Sequence, residues 1–353
     1  MRPHDLRMPA TLRRICVRLD SLIEKKISAV QLIEAIRQRR QRGFFAVYTA
    51  TKLMRGGRLD DARRILEAQR DDVFSQQFLK FASRQTGAGS RKSLFQSVLP
   101  LHYWENVSEN RRFNENALKF LARGAAGKTL DEFTVVDFGT GDGSFLESFL
   151  RLVRKLGTTN TRVVVVEPSA SLMAEARTRV RKYFPKRGQA LFLRKRAENL
   201  SRRDWFRIAE MQPSLAFSSA ALHHLSPSAK VSFFSAIRGL GCEFYLFELE
   251  GAEESVDGSS MFHIYSVHRF YSGLLRALWR TSISTKKKEA CAREFILAEA
   301  YYAMFAPFDL RQNYHASAEQ WLRYAKAGGM KRKLAIRKSI SPDYPQQLMM
   351  SWR

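Results

Sequence analysis

Cysteine is scarce. The 353 residues hold three, Cys16, Cys242 and Cys291, odd in number and far apart, which excludes a disulfide framework and a CxxC metal site and points to a reducing interior compartment. No metal is expected. Long apolar runs are also missing: stretches such as 44–47 and 163–166 fall far short of the roughly 20 residues that a spanning helix needs, so no membrane span is expected. No apolar segment follows the early basic residues, which argues against a secretory signal. The Arg-rich first 26 residues read as a helix of the folded chain, with organelle import as the alternative, and a cytoplasmic location is expected. Acidic charge is short, with 34 Asp and Glu against 60 Lys and Arg, a net charge of +26. Low-complexity tracts are absent, and 45% hydrophobic with 27% charged residues is the composition of a globular chain. The length suggests two domains, or one large domain with an appendage.

The basic excess is not a tail. Residues 1–127 hold 25 basic and 12 acidic side chains and the remainder 35 and 22, so each part carries +13. The densest run is 177–203, where eleven basic residues, Arg177, Arg179, Arg181, Lys182, Lys186, Arg187, Arg194, Lys195, Arg196, Arg202 and Arg203, are opposed only by Glu198. It is either a solvated face or a surface for nucleic acid or another polyanion.

Between residues 12 and 82 apolar side chains recur at intervals of three and four, as in Leu12, Ile15, Leu19, Leu22 and Ile23, which predicts helices. Residues 55–67 are similar to the second helix of a tetratricopeptide-type hairpin, without a second copy at that period. Residues 106–122 read as a further amphipathic helix. After Gly124 short buried strands alternate with helices. Strands are expected at 133–138, 161–167, 190–195, 214–218 and 243–249, helices at 144–156, 170–183 and 230–240, and a closing antiparallel hairpin at 330–337 and 347–352. This alternation predicts an α/β fold with a doubly wound, mostly parallel sheet. The expected division is a helical N-terminal domain at 1–125 and a sheet domain at 126–353, the latter carrying an aromatic-rich helical lid at about 251–315.

The first strand ends in Asp137, followed by Gly139-Thr140-Gly141-Asp142-Gly143 and a helix from Ser144. Glycines let backbone approach a ligand, and the helix start directs N–H groups toward it. The second strand ends in Glu167, an acid able to accept from two ribose hydroxyls. A dinucleotide fingerprint wants G-x-G-x-x-G and its acid about 20 residues on. Here the spacing is G-x-G-x-G, and Glu167 lies 28 residues after Gly139. Asp137 would repel a pyrophosphate and suits an ammonium group.

On these residues the chain resembles the class I S-adenosylmethionine-dependent methyltransferases over roughly residues 133–353, which implies a Rossmann-like seven-stranded sheet. The resemblance further implies that the turn of Gly139, Thr140, Gly141 and Gly143 cradles the methionine part, that Asp137 meets its amino group, and that Glu167, followed by Pro168, holds the ribose. Ala197 and Glu198 would then border the adenine. Arg196 stands where many members carry an acid, leaving Glu198 as the nearest substitute. The fourth strand runs into Ser218-Ser219-Ala220-Ala221-Leu222-His223-His224-Leu225, similar to the segment closing over the methyl sulfonium in small-molecule members. Neither an Asn-Pro-Pro-Tyr clamp nor a nucleophilic cysteine stands there, which disfavours base-amine and cytosine carbon-5 methylation.

His223 or His224 is the candidate base, packing or hydrogen bonding being the alternative role. His315, ahead of the helix expected at 317–327, is a lid or substrate candidate or a helix cap. Tyr301 and Tyr302 in the lid, and Tyr103 or Trp104 ahead of the sheet, are candidates to cover cofactor or substrate, with packing the alternative. The leading expectation is methyl transfer from S-adenosylmethionine, leaving S-adenosylhomocysteine, to an oxygen or nitrogen of a small or medium-sized metabolite. The alternatives are an RNA- or ribosome-associated methyltransferase, and a degenerate fold serving as a binding or assembly module.

Overall fold

A computed structural model describes residues 8–37, 39–83, 103, 106–126, 132–157, 160–184, 189–251 and 256–353. Packing divides the chain into two units, one of Met1–Ser108 with Gly251–Gln312, the other of Glu109–Glu250 with Asn313–Arg353. These boundaries differ from a division at residue 125. The helix Ser108–Ala125 belongs with the sheet because its apolar face does: Phe120 packs edge-on against Tyr245 and Phe247, at 5.9 and 6.0 Å between ring centroids. Asn116 Nδ2 also donates to Gln347 Oε1 at 3.0 Å.

The helical unit contains Ala10–Glu24, Ala29–Arg37, Arg42–Arg55, Leu59–Glu67 and Val73–Ala82, followed by Met261–Trp279, Thr285–Cys291 and Leu297–Phe305. Arg42–Arg55 is buried on nearly every side from Phe44 to Thr51, as expected of a helix at the centre of its unit. Tyr265 of Met261–Trp279 meets Phe44 edge-on at 5.3 Å and Tyr301 meets Phe81 at 5.6 Å, so aromatics of the expected lid pack within this unit, Phe270 and Tyr271 buried and the others half-buried. Burial pushes the Cys16 and Cys291 thiols up to about 12, which leaves both protonated and unreactive near neutral pH. No helix among the described residues is long and apolar enough to cross a membrane.

The other unit is built on a seven-stranded sheet: β1 Glu132–Phe138, β2 Asn160–Val166, β3 Ala190–Leu193, β4 Leu215–Ser219, β5 Glu243–Leu249, β6 Arg332–Lys338 and β7 Gln347–Trp352, in the order 3-2-1-4-5-7-6. Strands β1 to β5 are parallel, with Val135 opposite both Val163 and Leu215, while β7 runs antiparallel to β5 and to β6. β1 and β2 are buried without interruption in their second halves, apolar in both save for Asp137, because both sheet faces are covered. The order reverses between β1 and β4, so a crevice opens at their carboxyl ends.

Between β3 and β4 lies a helix that the sequence pattern does not predict, Arg202–Glu210. Ser201 and Asp204 form a reciprocal capping box at its start, and Lys195 Nζ reaches Asp204 Oδ2 at 2.6 Å. The Lys195 ammonium, with the Ser201 hydroxyl, holds the Asp204 carboxyl down at about 2. A depressed carboxyl contributes stability above its unfolded value, near 4, and loses it as pH falls toward 2. Asp204→Asn is therefore expected to destabilise the protein at neutral pH, with the difference from wild type shrinking below about pH 4. Denaturant melts across that range check this, and a pH-independent difference contradicts it.

Candidate functional site

At the carboxyl end of β1 the chain turns through three glycines with left-handed backbone, Gly139 (φ 75°), Gly141 (φ 59°) and Gly143 (φ 82°), a region costly for other residues. Each serves differently. A Cβ on Gly139 would lie 2.2 Å from Ala221 Cβ, and one on Gly143 2.9 Å from Ala176 Cα, whereas beyond Gly141 nothing lies within 4 Å. The first and third glycines thus let the turn press against its neighbours, and the middle one faces open space.

The turn is tied to the ends of the adjacent strands. Gly139 and Thr140 N–H groups donate to Val166 O, and Thr140 Oγ1 donates to Asp137 O at 3.1 Å. Gly141 N–H donates to Glu167 Oε2 at 2.9 Å, and Ser169 N–H to Oε1 at 2.9 Å. Glu167 therefore braces the turn while each of its oxygens keeps accepting capacity. Pro168, just after it, is exposed. On the other side Ser218 Oγ donates to Phe138 O at 2.8 Å, Ser219 is half-buried at the end of β4, and Ala220 takes φ 51°.

The electrostatics suit a cation. Burial pushes the Asp137 carboxyl well above the usual range, with the Glu167 charge adding to the effect and Thr140 opposing it. Glu167 is raised by burial too, against the N–H groups of Ser169 and Gly141. Two carboxyls crowded in a low-dielectric crevice gain from a positive group between them. The helix start is less open to anions than its sequence suggests, because Asp142 Oδ1 accepts from Ser144 N–H at 3.0 Å. Arg179 in turn holds Asp142 and Glu147 at 3.0 and 3.3 Å.

His223 sits deeper. Its Nδ1 lies 2.9 Å from Glu248 Oε2 and its backbone N–H donates to Oε1, with Glu248 1% exposed on β5. A carboxylate only accepts, so Nδ1 carries the hydrogen. The His315 ring stacks on His223 at 4.6 Å and 14°, and the half-buried His224 ring lies 4.0 Å from it. Tyr314 N–H donates to His223 O, and the buried Lys230 ammonium bonds Tyr314 O and lies 4.8 Å above Trp321. His315 is not the helix cap. Ser317 caps Ala318–Ala327 with Gln320 reciprocating, and burial, with His223, His224 and Lys230 nearby, holds His315 well below the usual histidine range. Among the described residues no group of three or more His, Cys, Asp or Glu side chains is arranged to hold a metal.

The turn, both acids, His223 and His224, all expected from the sequence, thus lie at the ends of β1, β2 and β4, beside a residue the sequence analysis did not name, Glu248, a carboxylate between Phe247 and Leu249 in β5. Ala197 and Glu198 lie in the short turn Ala197–Asn199 after β3, where Glu198 pairs with Arg196 at 2.6 Å. Three residues expected over cofactor or substrate lie in the helical unit. Tyr103 is fully buried there against Phe295, its hydroxyl donating to Leu274 O, a packing position. Tyr301 stacks on Phe305 at 4.6 Å and meets Tyr302 edge-on. Trp104 lies outside the described residues.

A scan against protein-family models finds none that matches, and a search of curated proteins finds no match. Among solved structures, SCL7 of Oryza sativa is similar at 14% identity over 87% of this chain and 98% of that one, with a TM-score of 0.66. The 1,6-didemethyltoxoflavin-N1-methyltransferase of Burkholderia thailandensis, solved with 1,6-didemethyltoxoflavin and S-adenosylhomocysteine, is similar at 13% over 76% and 92%, with a TM-score of 0.42. The magnesium protoporphyrin IX methyltransferase of Synechocystis PCC 6803 with bound S-adenosylhomocysteine gives 13%, 82% and 99%, and 0.40. Such identities speak to fold alone. With its strand order and reversed β7, the sheet unit has the class I methyltransferase fold.

The close approach of turn and β4 exit is testable by paired substitution. Gly139→Ala is expected to cost about 2–5 kcal/mol, from strain at positive φ and overpacking. Adding Ala221→Gly should recover the packing part and leave about 1–2 kcal/mol of strain. Strict additivity in denaturant melts would show that the two residues do not touch.

Proposed function

We propose that the protein is an S-adenosylmethionine-dependent methyltransferase acting on an oxygen or nitrogen of a small or medium-sized acceptor. The observation that carries the reading is the crevice at the switch in strand order, where an open left-handed glycine turn lies between two buried acids, Asp137 and Glu167. The residues present fit this donor. Asp137 suits its ammonium group, the side-chain-free surface at Gly139, Thr140, Gly141 and Gly143 its methionine chain, and Glu167, with Pro168 beside it, its ribose hydroxyls. Ala197 and Glu198 would border the adenine, and Ser218 and Ser219 would floor the crevice. When bound, the donor supplies a methyl group made electrophilic by a sulfonium.

The chain's own part is to exclude water, align the acceptor and manage its proton. With Nδ1–H held by Glu248, Nε2 of His223 is the ring atom we assign to accept a hydroxyl proton. Glu248 then stabilises the resulting imidazolium. His224 and His315 act as the ring's packing partners. A second reading, a binding module without transfer, draws on the Arg196–Glu198 ion pair in the place where the family carries a lone acid.

Calorimetry separates the two readings. Wild type is expected to bind S-adenosylmethionine and S-adenosylhomocysteine, and Asp137→Ala and Gly141→Val to lose binding while staying folded. Wild-type affinity in either variant places the pocket elsewhere. Against an acceptor found by screening extracts with a labelled methyl donor, with and without ribonuclease, His223→Ala is expected to lose about 10²–10⁴-fold in turnover with donor affinity kept. Unchanged turnover returns His223 to a structural role.

A further inference from the structure

The dense basic run at 177–203 separates into two populations. Arg179 is consumed by Asp142 and Glu147, Lys195 by Asp204, and Arg196 by Glu198. Arg194, Arg202 and Arg203, with Arg207 just beyond, are exposed, and among the described residues none of the four makes an ion pair. The last three share the helix Arg202–Glu210, and the Lys195–Asp204 pair fastens the β3 exit, where Arg194 stands, to the first turn of that helix.

In their midst is an aromatic ring that packing does not explain. Trp205 and Ile208 turn inward, Trp205 against Phe138 and Phe233 at 5.7 and 6.2 Å, while Phe206 is 64% exposed. A single exposed apolar side chain is ordinary. Phe206, however, has Arg202 and Arg203 one turn before it on the same face and Arg207 beside it. Only Glu210, the helix's last residue, adds an exposed carboxylate there. One outward ring is too little for insertion into a bilayer, which needs a whole apolar helix face. A flat ring among unpaired guanidinium groups matches a polyanion whose own flat groups are accessible: a base stacks on the ring and the phosphates meet the arginines.

We infer that the outer face of the helix Arg202–Glu210, with Arg194, is a binding surface for single-stranded nucleic acid, RNA being the probe of choice. It is independent of the methyl-transfer reading, since none of its residues belongs to the glycine turn. The test is fluorescence anisotropy of labelled oligouridine with the full chain between about 50 and 200 mM salt. Four phosphate contacts predict an affinity loss of about 50-fold over that range, and removing Arg203 should reduce the log–log salt slope by about 0.7. Phe206→Ala is expected to weaken binding by about fivefold or more with the salt slope unchanged, and Phe206→Trp to keep it. Donor affinity by calorimetry should be the same in all variants, so failure here leaves the catalytic reading untouched. The inference is overturned by no binding at low salt, by Phe206→Ala binding like wild type, by Phe206→Trp losing as much as Phe206→Ala, or by duplex RNA binding as well as the single strand. Displacement of the oligouridine by polyglutamate at equal charge would overturn it in favour of an acidic protein partner.

Discussion

The site depends on one hydrogen bond between strand ends, from Gly141 N–H to the Glu167 carboxylate at 2.9 Å. It fixes the left-handed turn after β1 against the exit of β2, and the missing side chain at Gly139 lets Ala221 close from the β4 side. Three parallel strands thereby converge on a small loop whose middle glycine faces open space. Neither the loop nor the acid alone defines a ligand. Together they make a crevice with carboxylates and little bulk, a setting for an extended cationic molecule more than for a phosphate, whose usual N–H partner at the helix start is already taken by Asp142.

A second layer of order lies behind that crevice. Glu248, His223, His315, Tyr314, Lys230 and Trp321 form a continuous chain of hydrogen bonds and ring contacts, reaching from β5 to the helix Ala318–Ala327. Burying a carboxylate and an ammonium is expensive unless each is bonded. Here each is bonded to a group that positions the histidines. These bonds fix the orientation of the His223 ring.

The central strands were legible because β1, β2 and β5 are short, largely apolar runs followed by glycine or an acid, and the Asp137-to-Gly143 turn carries its own signature. Less was legible where packing, not local pattern, decides. Residues 251–312 show helical periodicity whichever partner they choose, and their grouping with the N-terminal helices follows from contacts such as Tyr265 on Phe44. The helix Arg202–Glu210 was hidden because it turns only two apolar side chains, Trp205 and Ile208, inward, although Ser201 and Asp204 announce its start. Glu248 was hidden inside an apolar strand, and Tyr103 reads the same whether it lines a site or, as here, fills a core.

The central claim is that the turn after β1 receives an amino-acid nucleoside. Its most direct test is an amide NMR titration of the full chain with S-adenosylhomocysteine. The account predicts the largest shifts at Gly139, Gly141, Gly143 and Ser169, with the Gly141 N–H responding as Glu167 engages the ribose. Shifts confined to other parts of the chain, or none at saturating ligand, would contradict it.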